Sequence, residues 1–79
     1  MNDSIAKNIR KHRELKGYSQ EYMAHQLSIN QASYAKIESS STKITVDRIF
    51  TIAKILETEI SELLDLKNQT IYNVYDNNN

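Results

Sequence analysis

The sequence predicts an all-α fold: five helices around one small core. Three observations predict it. The chain has no proline and a single glycine, Gly17, so little in it interrupts a helical backbone. Apolar residues recur at helical spacing in successive short stretches. Three of those stretches follow a residue suited to capping a helix: Ser19, Asn30 and Thr45.

In chain order, Ile5, Ile9 and the stem of Arg13 fall at i, i+4 and i+8, with Ala6 beside them. They form one apolar stripe among basic residues, and Gly17 suits the left-handed cap that would end this helix. Ser19 opens the second helix, with Glu21 in its first turn and Met23, Ala24 and Leu27 facing inward. Ser28-Ile29-Asn30 is a short break, and Asn30 caps a third helix that buries Tyr34 and Ile37. Ser39-Ser40-Ser41-Thr42 reads as a polar loop. Thr45 then caps a fourth helix whose stripe is Ile49, Ile52, Ala53 and Leu56. A short fifth helix turns Ile60, Leu63 and Leu64 inward. After Leu66 the character changes. Residues 67–79 are Asn-rich with no helical stripe, so a flexible tail is expected, partly disordered or associated with a dimer. Thr70–Tyr75 has enough strand propensity for a short strand formed on dimerisation.

Seventy-nine residues allow one domain, placed here at 1–66, near the lower size limit for folding alone. There is no cysteine, which excludes disulfides and thiolate metal sites. No apolar run approaches a membrane span, and the polar start Met-Asn-Asp-Ser does not read as a signal peptide, so the expected compartment is the cytoplasm. Formal net charge is zero, but unevenly spread. Residues 1–43 carry seven Lys and Arg against four acids; residues 44–79 carry three against six. Such a chain can turn a basic face to phosphates and an acidic half away from them.

The informative stretch runs from Gln20 to Ile37. With Gln20 first, Ala24 is fifth, Ile29 tenth, Tyr34 fifteenth and Ile37 eighteenth. Two helices that cross steeply after a short turn need this spacing. The close approach demands a small residue, Ala24, and the turn must anchor an apolar one, Ile29. The second helix buries Tyr34 and Ile37 and leaves Gln31, Ala32, Ala35 and Lys36 on the other side. That outward stripe is small or polar and has no carboxylate, which suits a major groove lined by phosphates.

The run Tyr18-Ser19-Gln20-Glu21, Met23-Ala24, Leu27, Ile29-Asn30-Gln31, Tyr34 and Lys36-Ile37-Glu38 resembles the central motif of the Cro/C1-type helix-turn-helix family. The likeness extends over roughly residues 5–66, through Ile52-Ala53-Lys54-Ile55-Leu56 and Ile60-Ser61-Glu62-Leu63-Leu64. It implies a five-helix lambda-repressor-like domain that binds double-stranded DNA in a sequence-specific way and regulates transcription, repressor-like, as a homodimer on a palindromic operator. By the same resemblance Gln31, Ala32 and Lys36 meet base edges. Gln31 would bond adenine, Ala32 would touch a thymine methyl, and Lys36 would reach guanine or phosphate. Gln20, Asn30, Ser33, Ser39, Thr42 and Lys43 fall where the family contacts the DNA backbone. Arg13 and Glu38 match an ion pair that joins the first and third helices in some relatives.

Four positions depart from the family pattern. Ser28, Ser40 and Glu57 stand where glycine is usual, and Ile44 stands near a usual proline. A positive φ at Ser28 would cost up to about 1 kcal/mol.

One recognition helix reads only about four base pairs, which favours a two-fold dimer. Leu56, Ile60, Leu64 and Leu66 are the candidate dimer surface, extended by Ile71 and Tyr72, although leucines there serve equally well as core. A rival reading keeps the fold but makes another protein the main partner, as in an antitoxin. Enzymatic activity, a cofactor and a metal are not expected. His12 and His25 stand on different helices with no acidic cluster, and no nucleophile, phosphate loop or paired carboxylates appear.

Overall fold

The structure, a computed structural model, describes residues 2–64. The expected boundary at residue 66 and the tail 67–79, with Leu66, Ile71, Tyr72 and the strand-prone Thr70–Tyr75, lie outside the described residues. Five α-helices follow one another: α1 (Asn2–Lys16), α2 (Gln20–Gln26), α3 (Gln31–Glu38), α4 (Val46–Leu56) and α5 (Ile60–Leu64). No strand occurs among the described residues.

The three expected caps open their helices. Ser19, Asn30 and Thr45 sit in extended backbone, and each side-chain oxygen accepts from the amide three residues on: Tyr22, Ser33 and Arg48. Each satisfies one of the unpaired amides of a first helical turn, worth about 1 kcal/mol. The ends of α1 to α4 share a hydrogen-bond pattern. One amide reaches back three residues and the next reaches back five: Gly17 to Glu14 with Tyr18 to Arg13, Ser28 to His25 with Ile29 to Ala24, Ser40 to Ile37 with Ser41 to Lys36, and Glu57 to Lys54 with Thr58 to Ala53. The first residue of each pair is left-handed, with φ of 74° at Gly17, 58° at Ser28, 63° at Ser40 and 53° at Glu57. All four ends therefore adopt the left-handed turn that glycine favours, and three of them carry non-glycine residues.

The core forms from the predicted stripes. Ile5, Ala6 and Ile9 of α1, Met23, Ala24 and Leu27, Tyr34 and Ile37 of α3, Ile49, Ile52, Ala53 and Leu56 of α4 and Leu63 of α5 are all buried. Burying one large aliphatic side chain contributes about 1.5–3 kcal/mol. α2 packs chiefly on α3, and α1 crosses α3, α4 and α5. Asn8 Nδ2 donates to the Leu63 carbonyl at 2.9 Å, which fastens α1 to the end of α5.

This packing corrects one dimer-surface assignment. Leu56 is 1 % exposed and belongs to the core, because it lies on the same inward stripe of α4 as Ile49, Ile52 and Ala53. The apolar residues that α4 turns outward are Val46 and Phe50, at 66 % and 55 % exposure. Ile60 and Leu64 are half-buried against the core.

Candidate nucleic-acid interface

The candidate interface is the outward side of α3, and what holds α3 in place is a buried charge cluster at its far end. The Glu38 carboxylate accepts from Arg13 Nε at 2.6 Å and Nη2 at 3.1 Å, from the Tyr34 hydroxyl at 2.5 Å and from Gln20 Nε2 at 3.2 Å. Arg13 Nη1 also donates to the Tyr18 carbonyl at 2.8 Å. The Arg13 and Glu38 side chains are only 12 % and 4 % exposed, so the pair stands largely out of water. One carboxylate on α3 thus collects donors from α1, from the start of α2 and from α3 itself.

The electrostatics follow from this geometry. Burial by itself would push the Glu38 carboxyl up, but the bonds from Arg13, Tyr34 and Gln20 outweigh it and hold the group below the usual carboxylate range. The bond to Glu38 raises the Arg13 guanidinium in turn. Burial, then the bond to Glu38, pushes the Tyr34 phenol well up. Tyr34 is therefore a neutral donor and Glu38 an anion at neutral pH. No buried side-chain polar atom among the described residues lacks a partner.

The opposite side of α3 is exposed at Gln31, Ala32, Ser33 and Lys36, while Ala35 is half-buried. Gln31 and Lys36 make no side-chain hydrogen bond or ion pair with the described residues. Ala32 and Lys36 are one turn apart and share a face, and Gln31 stands at the first position of the helix. Glu38 is the helix's one acid, and Arg13 neutralises it internally, so the outward face presents no carboxylate.

The expected backbone-contact residues fall into three groups. Ser33, Thr42 and Lys43 line one concavity of about 270 Å³, with Ile29, Ile37, Ile44, Thr45 and Arg48. Asn30 and Ser39 are engaged locally: Asn30 Oδ1 caps α3 at 2.7 Å from the Ser33 amide, and Ser39 Oγ lies 2.8 Å from Ser41 Oγ and 3.3 Å from the Lys36 carbonyl. Gln20 is half-buried and donates to Glu38, so it braces the α3 anchor whatever else its side chain meets. Sequence reasoning missed Arg48, which adds a second cation to the rim formed by Lys43. The available signal was its place in the first turn after the Thr45 cap, three residues on, which brings it back beside the loop 39–45.

No group of histidines, cysteines and acids able to hold a metal occurs among the described residues. No helix of the described residues is long and apolar enough to cross a membrane. A family model described as helix-turn-helix matches residues 9–63. Neither the curated proteins nor the solved structures give a significant match.

Proposed function

The chain belongs to the Cro/C1-type helix-turn-helix family of DNA-binding transcription regulators, and from that premise we propose that it acts as a repressor-like homodimer on a palindromic operator. The observation that carries the proposal is the outward face of α3. The side chains of Gln31, Ala32 and Lys36 make no hydrogen bond or ion pair with the described residues, and the helix that bears them is fixed by a buried ion pair at its other end. In this reading Gln31 bonds the N6 and N7 edge of an adenine, Ala32 meets a thymine methyl and Lys36 reaches a guanine or a phosphate. Ser33, Thr42, Lys43 and Arg48 take the phosphates alongside, with Gln20, Asn30 and Ser39 at the edges of the footprint.

The homodimer rests on the exposed apolar residues of α4 and on α5. Val46, Phe50, Ile60 and Leu64 supply the contact, and Leu66 continues it in sequence. Isolated large apolar side chains at this exposure are ordinary, but several on neighbouring elements mark an interaction surface. Selection of bound sequences from random duplex DNA at moderate salt tests the proposal. The expected product is a palindrome with half-sites about 10 base pairs apart, centre to centre. Failure to enrich any sequence would overturn it and favour a module whose main partner is another protein, docked on the same apolar face.

A further inference from the structure

The outward face of α4 is ordered so that it complements itself. Val46 and Phe50 are its exposed large apolar residues, and Asp47 and Lys54 beside them are exposed as well. Neither Asp47 nor Lys54 makes an ion pair with the described residues. Successive residues of a helix turn by about 100° and rise by about 1.5 Å. Seen from Phe50, Asp47 and Lys54 therefore lie on one flank of α4, at about 60° and about 40°, and Val46 lies on the other flank at about 40°. Along the axis Asp47 stands about 4.5 Å before Phe50 and Lys54 about 6 Å after it.

We propose that two copies of the chain pair α4 against α4 in antiparallel fashion, about a two-fold axis at Phe50, with Asp47 of each copy paired to Lys54 of the other. This rests on the homodimer proposed above and states how its two faces meet. Charge decides the direction. A parallel pairing about a two-fold axis sets each residue against itself, so that Asp47 meets Asp47 and Lys54 meets Lys54. The antiparallel pairing brings Asp47 and the other copy's Lys54 to within about 1.5 Å of the same level on the same flank, twice over. On the opposite flank Val46 of one copy faces Ala53 of the other. Shape agrees with charge. A groove of about 300 Å³ opens between the end of α4 and the start of α5, with Phe50, Ala53, Thr58 and Ile60 in its wall, and the small Ala53 leaves room there for the second copy's Val46. Val46 also shares an aliphatic groove of about 690 Å³ with Ile49, Ile60 and Leu64, which carries the apolar contact from α4 to α5 on that flank. The apolar residues supply the burial, and the two ion pairs at the rim set direction and register.

Two single variants of the full chain test this register: Asp47→Lys and Lys54→Glu. Each variant alone sets like charges against each other in both contacts, whereas a mixture of the two restores opposite charges in both. Sedimentation equilibrium reads the dimer dissociation constant, and circular dichroism checks that each variant is folded. Each variant alone is expected to dimerise about tenfold more weakly than the parent chain, and an equimolar mixture to recover to within about threefold of it. High salt should narrow the difference, as for exposed charges. Mixing leaves the fold of each chain unchanged, so recovery in the mixture reports the contact between copies and not the stability of α4. Where the free chain dimerises too weakly to measure, cooperative occupancy of the selected duplex carries the same comparison. A parent chain that dimerises, with a mixture no tighter than the variants alone, would overturn the antiparallel α4 register and leave the homodimer on another surface. A parent chain that is monomeric both free and on its selected duplex would overturn the homodimer itself, and this register with it.

Discussion

Helices α2 and α3 begin with nearly the same geometry. Ser19 stands at φ −84° and ψ 163°, Asn30 at φ −80° and ψ 163°; each caps the amide three residues on, and each is followed by a glutamine at the first helical position. Both helices end on a left-handed serine, Ser28 or Ser40. The two glutamines nevertheless have different fates. Gln20 is half-buried and donates to Glu38, whereas Gln31 is exposed and has no partner among the described residues. Local sequence writes the same start and stop for both helices, and tertiary packing then decides which glutamine braces the fold and which faces outward. α2 packs on α3 and is braced at its start by the bond from Gln20 to Glu38; α3 has one side against the core and one side open.

The largest effect should come from the anchor that creates this difference. Glu38→Ala leaves the Arg13 guanidinium with no counter-charge in a largely dry site, and loss of one partner of a buried pair costs about 3–5 kcal/mol. Denaturant unfolding should show that loss, a large fraction of the stability of so small a domain. A change below about 1 kcal/mol would mean that the cluster is not holding α3.

The two glutamines should then separate by readout. Gln31→Ala is expected to leave the unfolding midpoint in place, within about 0.5 kcal/mol, as for a surface change. In the proposed function it weakens specific DNA binding by about 1–3 kcal/mol and relaxes preference at one base pair. Gln20→Ala should instead lower stability by about 1 kcal/mol, since it removes one hydrogen bond to a charged acceptor in a half-buried setting. Equal thermal shifts for the two variants would erase the distinction drawn between α2 and α3.

Acid provides a second view of the anchor. Glu38 is held below its ordinary range in the folded chain, so the unfolded chain binds the additional proton more readily. Its contribution is fully present above the unfolded value near ~4.3 and is lost as pH falls through the lower folded value. Glu38→Gln should flatten the pH dependence of the unfolding free energy in that acidic window and change little of its shape above it. An unchanged acid limb would assign the dependence to other carboxylates.

The smallest effects belong to the helix ends. Ser28→Gly and Ser40→Gly each relieve a left-handed L-residue and should raise stability by a few tenths to about 1 kcal/mol, part of the gain being offset by the freer unfolded chain. Glu57→Gly should gain less, because Glu57 Oε1 accepts from Lys16 Nζ at 2.9 Å on the surface and the change removes that pair. A loss of stability at Ser28 or Ser40 would show that the serine side chains contribute more than the strain costs.

Much of the fold could be read from the chain because its signals are local. Ser19, Asn30 and Thr45 announce helix starts, Gly17 announces a stop, and the spacing of Ile49, Ile52, Ala53 and Leu56 fixes an inward stripe. Two things were not legible. Which apolar residues stay on the surface depends on how α4 packs against α1 and α5, and this left Val46 and Phe50 outside, while Leu56, also assigned to the dimer surface, stayed on the inward stripe its spacing had given it. The convergence of Tyr34 and Gln20 on Glu38 depends on three helices meeting, so spacing alone suggested the Arg13 pair but not the two further donors. Arg48 was missed for the same reason: its neighbours Ser33 and Lys43 belong to other parts of the chain.

The most direct test of the account is a backbone-amide NMR titration of the chain with its selected duplex. The account predicts that the largest shifts fall on Gln31, Ala32, Ser33 and Lys36 and on Thr42, Lys43 and Arg48, while the α4 and α5 positions Phe50, Ile60 and Leu64 stay in place or report only dimer contact. Shifts centred on Phe50, Ile60 and Leu64 with α3 unmoved would contradict it, because the open face of α3 would then have no part in recognition.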